Sequence, residues 1–287
     1  MKQFLLHLAW LLTIPCLLLF ASQIRERYIW ETIFDGNEYA LCVGDSHAQP
    51  IKLNSGPTIA RGGDPFLISV LTVKRLMQYR KHNIRDVYLT VGPQSFSSLP
   101  ESRISEDFED WFSANGRRIA NRLSLSDYLN LSKFDVPVLQ HFRYELSLTN
   151  KGVTEQAAIW NGAFRQNADI RAKNHRVANS KWFEEIGFQK KHLEQLIELC
   201  EDRNVNLFLV GTPLHSSYRS RVEKTSWKKY KSFLHSLDVR HSNVHYLSYE
   251  EELLPDSLFR DSDHLNSLGG EFLGKRLEMT ANARQLP

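Results

Sequence analysis

Cysteine is scarce in this chain. Its 287 residues include three, at positions 16, 42 and 200, and no pair has the spacing of a zinc site. There is thus no basis for a disulfide framework or a thiolate metal cluster. Cys42 falls in a predicted strand and Cys200 on the apolar face of a predicted helix, where a thiol serves as a small hydrophobe. Long runs of one charge are also missing. Lys and Arg number 36 against 33 Asp and Glu, a net charge of +3, and the basic residues are dispersed. That argues against a nucleic-acid partner. No internal repeat or low-complexity segment stands out, so a solenoid or a disordered chain is excluded. The histidines lack ligand spacing of the H-E-x-x-H kind, and neither a metal nor a cofactor is expected.

What is present is the composition of a folded domain, 42% hydrophobic and 24% charged. The length suits one large α/β domain or two small ones. At the N-terminus, residues 3–24 carry no Asp, Glu, Lys or Arg. As a helix those 22 residues would span ~33 Å, enough for a bilayer core of ~30 Å. The run is read as an uncleaved signal anchor over residues 1–24, followed by a stalk over 25–37. The competing reading is a cleaved signal peptide, for which Ala21 and Ser22 offer small residues. Lys2 argues for an inside N-terminus, whereas Arg25 and Arg27 oppose it.

The rest, residues 38–287, reads as one domain. Short apolar runs at 39–43, 57–60, 87–91, 206–210 and 244–247 predict strands, most of them closed by glycine. Between them the spacing turns helical: Phe66, Val70, Val73 and Met77, then Leu193, Leu196, Ile197 and Cys200, then a polar segment over 219–238. Leu265, Leu268, Phe272 and Leu277 predict a closing helix. Residues 95–180 read as an insertion that shapes a cleft, with helical segments near 117–131 and 154–165. Strands alternating with helices predict a mainly parallel sheet covered on both faces, a three-layer α/β sandwich. Ligands of such sheets bind beyond the carboxyl ends of the strands. Those ends fall at Gly44-Asp45-Ser46, Gly62-Gly63-Asp64, Gly92-Pro93-Gln94 and Gly211-Thr212-Pro213.

A serine hydroxyl needs a base within hydrogen-bond reach, an orienting partner for that base, and donors aimed at the developing oxyanion. Ser46 follows a strand and a glycine, so its turn can expose the hydroxyl. Asp261-Ser262-Asp263-His264 places an acid three residues before a histidine, on a loop that opens the last helix. Each motif taken singly also reads as a turn or helix cap. His47 adjoins Ser46 and His215 follows a strand-end turn; both are candidate cleft contacts.

Together the two motifs resemble the SGNH/GDSL hydrolase superfamily, with Gly-Asp-Ser near the start and Asp-x-x-His near the end. The resemblance covers about residues 38–280 and implies a flavodoxin-like sheet, with Ser46 as nucleophile, His264 as base and Asp261 as its orienter. Gly63-Asp64-Pro65 matches the family's second block. The implied oxyanion donors are therefore Ser46 and Gly63. The third block departs: where the family has Gly-x-Asn-Asp, this chain reads Gly92-Pro93-Gln94-Ser95, so Gln94 stands in for the asparagine.

Thr212-Pro213-Leu214-His215 and the stretch around Asp261 are similar to membrane-anchored, extracytoplasmic members linked to envelope polysaccharides. That implies an esterase or O-acyltransferase on acylated glycans at the bacterial inner membrane, single-pass, with a membrane acyltransferase as a candidate partner. Two other readings stay open: an inactive glycan-binding or assembly component, and an anchored scaffold whose middle segment binds a protein.

Overall fold

The computed structural model describes residues 39–78, 83–100, 164–179, 181–183 and 187–284, together with positions 13, 17, 21 and 24. The expected stalk and helix 117–131 lie outside the described residues. So does the expected anchor apart from its four positions, which are helical. Among the described residues, no helix is long and apolar enough to cross a membrane.

Five strands form one sheet: β1 (Ala40–Gly44), β2 (Thr58–Ala60), β3 (Asp86–Val91), β4 (Asn206–Gly211) and β5 (Val244–Ser248). Their order is β2-β1-β3-β4-β5. Every pairing is parallel, with Cys42 opposite both Thr58 and Tyr88, and Leu89 opposite Leu209. The five expected strands thus appear where the apolar runs placed them.

Six helices are described: α1 (Phe66–Met77), α2 (Phe164–Asn174), α3 (Gly187–Glu201), α4 (Ser216–Arg219), α5 (Lys224–Arg240) and α6 (Ser267–Arg284). Alternation along the strands sorts the core into two layers. Leu41, Val43, Val87, Leu89, Leu207 and Leu209 face α1, α2, α3 and α5. Ala40, Cys42, Tyr88, Phe208 and Val210 face α6. Helices therefore cover both faces. The expected polar helix over 219–238 is instead α5, preceded by the single turn α4. Glu223 starts α5 by accepting hydrogen bonds from the Thr225 and Ser226 N–H groups, at 2.8 and 2.7 Å. Cys42 and Cys200 are both buried free thiols, and burial pushes each up to about 12.

The closing helix differs in detail from its sequence reading. Leu268 is 65% exposed and Phe272 38%, whereas Leu273, Leu277 and Ala281 are buried. The physical reason is a glycine seam. A Cβ on Gly270 would lie 1.8 Å from the Pro50 carbonyl oxygen, and one on Gly274 1.9 Å from that of Lys52. α6 thus lies directly on the loop that follows β1. Glu278 fastens the same seam, accepting from the Ser55 N–H at 2.7 Å and its hydroxyl at 2.6 Å. A hydrophobic periodicity counts side chains, so it drew the face toward Leu268 and Phe272 and away from Gly270 and Gly274.

Candidate active site

The chain runs from β1 to β2 on one side of β1 and then to β3 on the other. The topological switch point therefore lies between β1 and β3, the place at which such sheets bind their ligands. Ser46 follows β1 and Gln94 follows β3 at that point. Gly44 ends β1 at φ +146°, and a Cβ there would lie 2.0 Å from Thr90 Oγ1. Only glycine lets the chain leave β1 this close to β3. The turn after β2 borders Ser46: a Cβ on Gly62 would lie 3.7 Å from the Ser46 Cβ. Gly63, in the same turn, has φ +78°.

His264 arrives from the opposite end of the sequence. Phe259 and Leu265 form an antiparallel bridge, and the Arg260 N–H donates to the His264 carbonyl at 2.9 Å. Residues 260–264 thus form a closed loop standing on two buried side chains. Inside it, Asp261 Oδ1 accepts from the N–H groups of Asp263 and His264, at 3.1 and 2.8 Å. The same carboxylate lies 2.8 and 3.0 Å from His264 Nδ1. On the far side of the ring, His264 Nε2 lies 2.7 Å from Ser46 Oγ. The structure thus brings together Ser46, His264 and Asp261, across 218 residues of sequence.

Their surroundings set their charge. Burial pushes the His264 imidazole below its usual value, and the neighbouring His47 adds to that. The ring is therefore neutral at neutral pH and can accept a proton. Burial alone would raise the Asp261 carboxyl, but its contacts with His264 hold it below the usual carboxylate range. Asp261 is ionised and orients the Nδ1–H.

His47 is 3% exposed and sits behind the triad. Its ring stacks on His264 with centroids 4.4 Å apart and planes inclined by 21°. His47 Nδ1 lies 3.0 Å from Asp45 Oδ1, and Nε2 lies 3.4 Å from Asp263 Oδ2. Asp263 is fully buried and meets Arg171 of α2 in a two-pronged pair, at 2.7 and 2.8 Å. Another α2 residue, Asn167, accepts from the Ser262 N–H and hydroxyl, at 3.1 and 2.7 Å. His175, just past the end of α2, lies 2.7 Å from the Tyr218 hydroxyl and 4.0 Å from Asp263.

Two sequence expectations read differently in three dimensions. The Gln94 amide nitrogen lies 3.3 Å from Asp45 Oδ2 and 3.0 Å from His47 Nδ1. It is engaged on the Asp45 carboxylate instead of standing free as an oxyanion donor. His215 caps α4, accepting from the Ser217 N–H, while its Nε2 lies 3.1 Å from Asp256 Oδ1 and its ring stacks on Phe164. It braces the motif loop, since its own N–H donates to the Ser262 carbonyl at 3.1 Å.

Arg171, Asn167 and His175 were missed in the sequence. They sit in or just after a polar helix about 90 residues before the motif they support, and no local spacing announces them. Asp263 carried one signal, a second acid beside the histidine.

His47, Asp263 and His264 bring potential metal-ligand atoms within 4.8 Å of one another. All three already have neighbours: His47 faces Asp45 and Asp263, Asp263 holds the Arg171 fork, and the His264 nitrogens face Asp261 and Ser46. A metal there would have to displace a guanidinium. A separate groove of about 750 Å³ is lined by Lys190, Lys224, Lys228, Phe183 and Phe233 among others, and by none of the triad residues.

A protein-family model matches residues 158–281, less than half of the chain. No curated protein matches the sequence. Among solved structures, a Streptococcus pneumonia protein provisionally named as a platelet activating factor is 12% identical. That match covers 95% of this chain and 98% of the other, at a TM-score of 0.42.

Proposed function

We propose that this chain is a serine esterase or O-acyltransferase of the SGNH type, working through an acyl-Ser46 intermediate. One observation carries the reading: Ser46 Oγ, His264 and Asp261 form a continuous hydrogen-bonded line, with 2.7 Å at the nucleophile and 2.8 Å at the orienting acid. Ser46 is only half-buried, so an ester can approach it.

His264 Nε2 takes the Ser46 proton as Oγ attacks the ester carbonyl. The oxyanion faces the backbone N–H groups of Ser46 and Gly63. Collapse breaks the ester bond, and His264 returns its proton to the departing alcohol. Water or a sugar hydroxyl then gives a proton to His264 and attacks the acyl group, the Oγ–acyl bond breaks, and His264 returns that proton to Ser46 Oγ. Asp261 stays ionised and stabilises the imidazolium formed in each half.

The substrate class that fits the sequence resemblance is an acyl, foremost acetyl, ester of an envelope or exported polysaccharide. The domain would then face outward from the bacterial inner membrane on its N-terminal anchor, with a membrane acyltransferase as acyl supplier in the transfer case. The engagement of Gln94 on Asp45 favours a second reading, a glycan-binding component of the same fold with little turnover. Acetate release from an acetylated glycan, with and without an acceptor sugar, tests both. Release or transfer that depends on Ser46 supports the enzyme. Glycan binding without either, at any pH between 6 and 9, overturns it in favour of the second reading.

A further inference from the structure

Both nitrogens of the His47 ring face carboxylates. Nδ1 lies 3.0 Å from Asp45 Oδ1 and Nε2 lies 3.4 Å from Asp263 Oδ2. An ionised carboxylate only accepts hydrogen bonds, whereas a neutral imidazole has a single N–H to give. Only an imidazolium presents an N–H to both carboxylates, as a hydrogen bond to Asp45 and an ion pair with Asp263. The Gln94 amide nitrogen lies between Asp45 and His47, 3.3 Å from the other Asp45 oxygen and 3.0 Å from His47 Nδ1.

We propose that His47 is a positioning residue: an imidazolium clamped between Asp45 and Asp263 that holds the face of His264 and disfavours its protonation. The inference rests on the reading of His264 as the general base. The clamp joins the two ends of the site, since Asp45 and His47 flank the nucleophile and Asp263 precedes the base. A cation stacked at 4.4 Å repels a second positive charge on His264.

The groups that face this pair from every side fit the same account. Asp45 lies on the loop of His47, and Asp261 and Asp263 on that of His264. Arg171 comes from α2, His175 from the turn that follows it, and Tyr218 from α4. Asp263 is the shared counter-ion, held by Arg171 on one side and by His47 on the other. Burial alone would depress His47, but the two carboxylates outweigh it and lift the group to about 10. Burial pushes His175 down to about 3, so it adds no charge.

The test uses the full chain in detergent, labelled with ¹⁵N at histidine, and His47→Gln alongside it. Ring nitrogen shifts of the unmodified protein report protonation without relying on turnover. They should show His47 doubly protonated up to pH 8 and beyond, with His264 neutral at pH 7. A neutral His47 at pH 7 overturns the proposal, whether or not the variant folds. In His47→Gln, kcat/KM for p-nitrophenyl acetate should fall about 10- to 100-fold through kcat, with KM within about twofold. The acid limb of its pH profile should move to higher pH, because the repelling charge is gone. A pH profile that overlays the wild type, or a loss confined to KM, overturns the positioning role. If the wild type instead shows no Ser46-dependent cleavage, it is the reading of His264 that fails, and the ring nitrogen shifts still decide the charge on His47.

Discussion

Asp263 and Arg171 show how much of this site is support. Asp263 lies 3.4 Å from His264 Nδ1 and Arg171 3.2 Å from the same atom, so both help to fix that ring. The Asp263 carboxylate is fully buried, and its two-pronged pair with Arg171 holds the histidine loop against α2. Removing one partner of a buried pair leaves an uncompensated charge and typically costs about 3–5 kcal/mol. Arg171 is 28% exposed along its side chain, so Arg171→Met should fall at the low end, about 3 kcal/mol in urea unfolding. A loss below about 1 kcal/mol contradicts that burial account. Asp261→Asn acts on the chemistry instead. It keeps the size of the side chain but exchanges an acceptor for a donor at His264 Nδ1, which disturbs the tautomer. The expected loss in kcat/KM is about 10³–10⁴-fold, with the melting temperature within a few degrees of wild type. Retention of a tenth of the activity would remove Asp261 from its proposed role.

Among the elements, α6 keeps Ser46 and His264 in register. It begins three residues after His264 and lies on the loop that carries Ser46. The contact is made by glycine against backbone, so it has little room to adjust. Gly270→Ala places a methyl group where the Pro50 carbonyl stands, 1.8 Å from an ideal Cβ. Overpacking of this kind costs about 1–3 kcal/mol. Urea unfolding should show that loss, and ester cleavage should fall as well, because the strain shifts Ser46 relative to His264. Wild-type stability in Gly270→Ala would mean the seam is looser than described.

The same helix marks where sequence reading stops. The strands were legible because five short apolar runs stand out against turn residues, and Gly44, Gly92 and Gly211 close three of them. The meeting of Ser46, His264 and Asp261 was legible because their two motifs bracket the domain. The docking face of α6 was not, because its central contacts are glycines, which carry no hydrophobic signal. The Gln189 clasp was not legible either. This buried side chain accepts from the Phe66 N–H at 3.0 Å and donates to the Ser95 carbonyl at 3.1 Å, tying α1, α3 and the turn before Phe96 together. A polar residue on a helix gives no sign in sequence that it will be buried.

At the scale of the whole molecule, the charges gathered at the switch point should shape stability against pH. His47 titrates near 10 in the folded chain, above the usual 6.5. Its contribution is fully present below pH 6.5 and is lost as pH rises toward 10. His175 runs the other way. Burial holds it down to about 3, so below pH 6.5 the unfolded chain takes up a proton that the folded chain refuses. Asp45 and Asp263 both sit below the usual carboxylate range, and their contributions are lost as pH falls under about 4. The melting temperature should therefore peak between about pH 6 and 7 and decline on both sides. His47→Gln should flatten the alkaline decline alone. A stability that keeps rising from pH 7 to 9 contradicts this charge assignment.

The central claim is that Ser46 is an activated nucleophile, and it can be tested on one residue. The full chain, treated with a fluorophosphonate and weighed intact by mass spectrometry, should gain a single adduct that maps to Ser46. The adduct should vanish in Ser46→Ala and form at least about 10³-fold more slowly in His264→Ala. No adduct on the wild-type chain, or one that persists in Ser46→Ala, would contradict the account.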